Sequence, residues 1–416
     1  MLSEQQKLEK IIQLGSEVAR VNDLDILLER VLVGARRLVN ADAGSIYIRH
    51  KRKHELEFRY TQNDTQSAKL PPGQKLIYTT FTMPISNESI AGYVANTGRV
   101  LNIPDVYTLT DAVPYRFNRG PDDLSGYTSR SMLTVPLKTT RAEVVGILQL
   151  INAKDRRGNV VPFRSEDEPL VMHFANNAAI ALERAQMTRT IILRMISMAR
   201  LRDPAETGPH VNRVGAYAVE IYETWARRKG LPKDEIDARR DVLRMAAMLH
   251  DVGKVAISDA ILKKPGRFTP EEFEIMKAHT FLGARLHSNP TSPFDEAAAE
   301  VASDHHEWWD GSQRGYPGHI DIMTGRPLPG YENQDGTPRR KKGDEIPVFG
   351  RVVAIADVYD ALCSKRCYKD ALEEPKALQI LREERGRQFD PEMVDALFSS
   401  LDMIHSIPKH YPDEPD

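Results

Sequence analysis

From Glu166 to Ala199 the chain contains no glycine and a single proline, Pro169. Such a run predicts one long helix, and a long helix in mid-sequence divides a chain of 416 residues into two parts. Within it Phe174, Ala178, Ala181, Ala185, Thr188, Ile192, Met195 and Ala199 recur alternately four and three apart, the spacing of a heptad seam. The stripe either packs on its own domain or pairs with a second copy. A helix joining two domains has few other surfaces to cover it, so the expectation is a linker helix over 169–200 acting as a parallel dimer stalk. Arg202-Asp203-Pro204 ends it.

The part before this helix reads as helix, then strands. Leu8, Ile11, Ile12 and Val18 predict an N-terminal helix within 1–22. Asp23 is a candidate cap for a second, carrying Ile26, Leu27, Val31, Leu32 and Leu38. Asn40-Ala41-Asp42-Ala43-Gly44 breaks the pattern. Candidate strands follow at Ser45–Ile48, Leu56–Tyr60, Val100–Ile103, Ser131–Leu137 and Val144–Asn152, with a short helix at Ile90–Thr97 and an irregular stretch over 107–128. Clustered strands between helices predict an α+β domain with an antiparallel sheet.

From residue 205 the chain is helical by pattern, and acids and histidines stand at the ends of its apolar segments. His250-Asp251 closes Val242, Met245, Ala246 and Leu249, with Gly253 and Lys254 after it. Glu206 and His210 flank a helix start at Gly208-Pro209. His279 follows a helix opened by Thr269-Pro270-Glu271-Glu272, a capping box. His305-His306 and Asp357 complete the set. A buried, unpaired Asp357 after Val352-Val353-Ala354-Ile355-Ala356 is strongly destabilising, and a lone helical histidine is usually solvated or hydrogen-bonded. Five histidines and three acids so placed make a shared metal cluster the economical explanation. Nitrogen and oxygen donors without thiolate favour iron, manganese or cobalt over a soft site, with zinc or nickel open.

Bulk properties narrow the class. The composition is globular, 41% hydrophobic and 28% charged, and a formal net charge of -2 leaves no global basic footprint for nucleic acid. No apolar run nears the ~20 residues that span a bilayer, and the N-terminus lacks a signal-peptide core. Cys363 and Cys367 sit four apart in an apparent helix, better suited to free thiols than to a disulfide; a cytoplasmic location is expected.

Two resemblances follow from these residues. Gly44-Ser45-Ile46-Tyr47, Gly126–Leu137 and Val145–Asn152 make residues 23–168 resemble a GAF domain. Asn152, Lys154, Phe163, Asp167 and Glu168 come close to the signature of its cyclic-nucleotide-binding members, with Lys154 displaced by one position. The resemblance implies a sensory module that takes a small ligand of unknown identity, or serves dimerisation alone. Residues 201–405 resemble the HD-GYP family of cyclic-dinucleotide phosphodiesterases, through Glu206-x3-His210-x2-Arg213-Val214, His250-Asp251-x-Gly253-Lys254, His279-x3-Gly283, His305-His306-Glu307-x2-Asp310-Gly311, Gly315-Tyr316-Pro317 and Asp357-x2-Asp360-Ala361-Leu362-x3-Arg366-x-Tyr368-Lys369, in family order.

That resemblance implies that Glu206, His210, His250, Asp251, His279, His305, His306 and Asp357 ligate two or three divalent ions, iron first and manganese second. Asp251 bridges two of them, and Glu206 goes with a third where one is present. Lys254 and Asp251 are the implied catalytic residues; Lys254, Arg366, Tyr368 and Lys369 hold substrate, while Gly315, Tyr316 and Pro317 shape the pocket and serve contacts with GGDEF-type or other signalling proteins. The implied reaction is hydrolysis of cyclic di-GMP to pGpG, GMP or both, by a homodimer regulated through its GAF domain. A hybrid cyclic dinucleotide (cGAMP) as substrate, or a non-catalytic dinucleotide sensor, is the alternative. The chain departs from the pattern in having three residues between Gly311 and Gly315, and roughly twenty extra residues between Pro317 and Ile346. That insertion reads as a lid, a partner surface or a disordered loop, and its basic run Arg339-Arg340-Lys341-Lys342 as solvated loop rather than a lure for an anionic substrate. A flexible tail is expected over 406–416.

Overall fold

The computed structural model describes residues 4–50, 53–71, 76, 78, 80–201, 208–364 and 371–413, with side chains from residue 9 onward and Arg200 excepted. The chain forms two compact units, 1–188 and 189–416.

In the first unit α1 (Glu4–Arg20) and α2 (Leu24–Val39) precede β1 (Ala41–His50) and β2 (Glu55–Asn63). Next come α3 (Asp64–Ser67), β3 (Phe81–Pro84), α4 (Ile90–Thr97), β4 (Leu101–Ile103), α5 (Gly120–Ser125), β5 (Met132–Lys138), β6 (Val144–Lys154), β7 (Val160–Val161) and α6 (Asp167–Arg200). The Asp23 side chain accepts from the backbone of Asp25 and Ile26, so the expected cap forms. Asn40, in the left-handed conformation, ends α2, and β1 starts at the next residue. The segment expected to break the pattern is therefore the start of a strand. Among the described residues the strands make one antiparallel sheet in the order β3-β2-β1-β6-β5-β4, with β7 beside β6. Alternation puts Ile46, Ile48, Leu133, Val135, Leu148 and Leu150 on the face covered by α1, α2 and the first half of α6. The opposite face carries Ser45, Thr134 and Gln149, all buried, with Gln149 Nε2 donating to Thr134 Oγ1 at 3.2 Å. Asn152 and Lys154 tie the sheet's end together: Asn152 donates to Tyr127 Oη and Thr128 O, and Lys154 pairs with buried Asp42.

The heptad stripe of α6 is spent inside the chain. Phe174, Ala178, Ala181 and Ala185 are buried in the first unit's core, and Ile192 joins Ile196, Val211, Met245 and Leu249 in the second. Met195 is turned outward where a strict seven-residue repeat would bury it, because an unsupercoiled helix keeps its inward stripe at 3.6-residue spacing. The expected stalk seam is thus corrected to two intrachain contacts.

The second unit is helical: α7 (Gly208–Arg228), α8 (Lys233–Ala247), α9 (Asp259–Leu262), α10 (Pro270–Lys277), α11 (His279–Arg285), α12 (Pro293–Asp304), α13 (Val348–Cys363), α14 (Glu374–Glu383), α15 (Pro391–Ser399) and α16 (Leu401–His410). Thr269 and Glu272 form the predicted capping box. α7, α8, α12 and α13 surround a core of Tyr217, Tyr222, Leu243, Val301, Val352 and Ile355. α13 stops at Cys363, and Cys367 lies outside the described residues. The tail expected to fray is docked in part: Arg213 donates to Tyr411 O and Asp413 Oδ1, at 3.1 and 2.7 Å. The insertion is ordered into turns joined by two isolated bridges, Ile320 with Pro327 and Glu332 with Pro338.

Candidate metal centre

Close approach of backbone decides how the cluster forms. α8 ends at Ala247, and the chain passes through His250 and Asp251 into a short 3-10 turn over Val252–Ala256. A Cβ on Gly253 would lie 1.9 Å from His279 O and 2.4 Å from Gly283 N. Only glycine lets this turn touch the start of α11, and that contact brings His279 to Asp251.

Two ligand groups result. Asp251, His279, His305 and His306 hold one set of donor atoms within 4.8 Å of one another; His210, His250 and Asp357 hold another. Asp251 faces both ways. Its Oδ1 lies 3.2 Å from His279 Nε2 and 3.6 Å from His305 Nε2, while its Oδ2 lies 3.4 Å from His250 Nε2 and 2.6 Å from Lys254 Nζ. Asp357 Oδ1 is 3.6 Å from His210 Nε2 and 3.8 Å from His250 Nε2. Seven of the eight expected ligands therefore meet. The eighth, Glu206, lies outside the described residues, as do Arg366, Tyr368 and Lys369.

The imidazoles are set for ligation. His250, His279 and His305 donate Nδ1–H to the carbonyls of Ala247, Met276 and Val301, three or four residues back, and His210 donates to Asp360 Oδ2 at 2.8 Å. Each bond turns Nε2 toward the cluster. Burial pushes the His305 and His306 imidazoles down, His306 strongly, which keeps them neutral. Burial would raise the Asp251 carboxyl, but Lys254 and His250 outweigh it and hold the group well below the usual range, ionised. Buried His279 Nε2, His305 Nε2 and Asp251 Oδ1 have no hydrogen-bond partner among the described residues. Buried polar atoms are otherwise almost always satisfied, and a divalent cation between them answers the deficit. The donor set fits a nitrogen-oxygen site.

Tyr316 packs its ring on His306 and His279, with centroids 4.7 and 6.3 Å apart, and its N–H donates to His306 O. The Gly-Tyr-Pro residues thus support the ligand rings from one side. Sequence reasoning quoted Asp360 and Arg213 without giving them a role. Asp360 orients His210 and is itself gripped by Arg213 through Nε and Nη2, at 2.6 and 3.0 Å. Arg213 uses its remaining N–H groups on Ser364, Tyr411 and Asp413. The signal available was the position of Asp360 in the same apolar helix as Asp357.

Residues 207–362 match the HD domain and residues 23–182 the GAF domain. Among curated relatives, a 3'3'-cGAMP-specific phosphodiesterase of Vibrio cholerae is 34% identical over 57% of this chain and 39% of its own length. A cyclic di-GMP phosphodiesterase of the same organism is 36% identical over 61% of this chain and 49% of its own. One from Thermotoga maritima is 34% identical over 54% of this chain and 52% of its own. The chain spans about half the length, or less, of the curated relatives it matches. The stretch that matches the HD domain holds the His/Asp cluster.

Proposed function

We propose that this chain is a metal-dependent phosphodiesterase that hydrolyses cyclic di-GMP to linear pGpG, and onward to GMP, under control of its GAF domain. The observation that carries the reading is Asp251, a member of one group of candidate ligands whose Oδ2 lies 3.4 Å from His250 of the other, with the Lys254 ammonium against that same oxygen. Divalent ions held there, iron or manganese, with a third where Glu206 contributes, supply an activated water at neutral pH and neutralise phosphoryl charge. Asp251, Asp357 and the imidazoles of the two groups would hold the ions. Lys254 steadies the scissile phosphate or the leaving oxygen, and Arg366, Tyr368 and Lys369 grip the other phosphate. Tyr316, flanked by Gly315 and Pro317, closes the pocket wall over His306, and the loop around it meets signalling partners.

A second substrate is favoured by one finding: the relative named 3'3'-cGAMP-specific matches this chain to a similar extent as one named for cyclic di-GMP, 34% against 36% identity. The test uses anaerobically purified protein loaded with Fe(II) or Mn(II), offered each cyclic dinucleotide, with linear product read by chromatography. Turnover of cyclic di-GMP supports the reading, turnover of cGAMP alone moves the substrate, and none with both ligand groups filled overturns it.

A homodimer belongs to the same proposal. Ile180, Met187, Ile191 and Met198, seven and four residues apart on α6, are solvent-exposed and suit a second copy better than the buried stripe does. No helix among the described residues is long and apolar enough to cross a membrane. We place the enzyme in the cytoplasm, where its substrate would be made.

A further inference from the structure

The insertion after Pro317 is absorbed by none of the roles above, yet it is tied down at both ends. Its base is closed by His319 N donating to Arg339 O at 2.9 Å. On the way out, Gly318 N donates to the Glu307 carboxylate. On the way back, Arg340 donates to Pro317 O at 2.8 Å, and Lys341 Nζ meets Asp304 Oδ1 at 2.5 Å. Asp304 and Glu307 are buried and stand on either side of His305-His306. The outer turn reaches a second ligand carrier. Arg285 Nε donates to Ile322 O at 2.8 Å, and a Cβ on Gly325 would touch the Phe281 ring at 2.9 Å. Arg285 and Phe281 belong to α11, which begins at His279. Within the basic run Arg340 and Lys341 are therefore anchored, while Arg339 and Lys342 stay exposed.

We infer that the segment Gly318–Lys342 is a brace for one half of the cluster, the group Asp251, His279, His305 and His306, and that Lys341 is its main positioning residue. Beyond its own flanks, the segment's polar contacts among the described residues go to α11 and to the turn that carries His305 and His306. The group formed by His210, His250 and Asp357 is held by α7, α8 and α13 instead.

Charge explains why Lys341 matters. Asp304 is the last residue of α12, and it is buried, with Lys341 as its cation. With the ammonium removed, that buried carboxylate loses its cation and is driven to swing outward, because a buried charge without a partner is not tolerated. Swinging outward moves the backbone of the next residue, His305. Staying put leaves uncompensated negative charge beside ligands whose placement sets metal affinity.

This inference rests on the two-group metal reading, and the test separates the two. Apo protein is titrated anaerobically with Co(II), followed by its visible d–d absorption and by calorimetry. The wild type is expected to bind in two resolvable steps. Lys341→Met is expected to weaken one step about tenfold or more while the other stays within about twofold. Lys341→Arg, which keeps the charge, and the double variant Lys341→Met with Asp304→Asn, which removes the need for it, are each expected to restore most of the loss. His279→Ala identifies the affected step by abolishing the same one. Should Lys341→Met fail to fold, Arg285→Ala frees α11 from Ile322 without stranding a charge and reads the same asymmetry. A wild type that binds no Co(II) overturns the metal reading. Two wild-type steps that Lys341→Met weakens equally, or not at all, overturn the brace.

Discussion

The two halves of the cluster are built on different principles. In the half containing His279 and His305, those two imidazoles are oriented by carbonyls three or four residues back in the sequence. In the other half His250 is held in the same way by Ala247 O, but His210 is oriented by Asp360, 150 residues away, a carboxylate that is itself clamped by Arg213. The first arrangement forms wherever a helix forms, and tertiary contacts need only bring the helices together. The second exists only once α7 and α13 have packed. Helical geometry supplies a cheap, rigid orienting group, whereas a carboxylate adds basicity to the imidazole at the cost of a buried charge that needs its own partners.

Four substitutions probe that contrast. Asp251→Asn acts where the halves meet. We expect loss of both Co(II) steps and of turnover; retention of either step would show that the halves bind independently. Gly253→Ala drives a methyl into the backbone of His279 and Gly283. It should cost about 2–3 kcal/mol of stability, and metal titration should show the His279 half weakened more than the His210 half. Equal weakening would break the distinction.

Asp360→Asn keeps size but removes the charge that faces His210 and Arg213. Metal affinity in the His210 half should fall by about 10- to 100-fold, with the other step unchanged in the same titration. Burial would raise the Asp360 carboxyl, but His210 and Arg213 outweigh it and hold it low. Its contribution to stability is therefore present above the unfolded carboxyl range and is lost as the pH falls below it.

The smallest effect is at the far end of α12. The Thr291 backbone N–H, opposed by burial and helped by the Thr291 and Ser292 hydroxyls, brings the Asp295 carboxyl down to about 2. A folded-state value below the unfolded one stabilises above about pH 4 and stops doing so as pH falls through about 2. Asp295→Asn should cost about 1 kcal/mol or less near neutrality. The gap in Tm should close as thermal melts are taken toward pH 2; a gap that persists there would assign the effect to packing.

The same contrast marks what could be read in advance. The seven candidate ligand positions that meet were legible as polar residues at the ends of apolar helical segments, and it was their number, not any one of them, that pointed to a shared site. The helix caps at Asp23 and Thr269 were legible because they involve neighbours in sequence. The α6 stripe was misassigned because a periodicity of four and three states that a face is buried without stating by what. The start of β1 was missed because the left-handed Asn40 ends a helix and opens a strand within one residue. Lys341 was read as part of a solvated basic run, since composition carries no sign that Asp304, 37 residues earlier, lies within reach.

The residues alone determined the division into an α+β and an all-helical part, the nitrogen-oxygen character of the cluster and the positions of its ligands. Those properties rest on periodicity and donor chemistry, which are local. Which candidate ligands share a group, that Asp251 of one group lies beside His250 of the other, that Asp360 and Arg213 hold His210, and that the insertion is clasped to the His305-His306 turn were decided by tertiary structure. Each depends on the close approach of segments distant in sequence, and such an approach is settled by the packing of the whole domain.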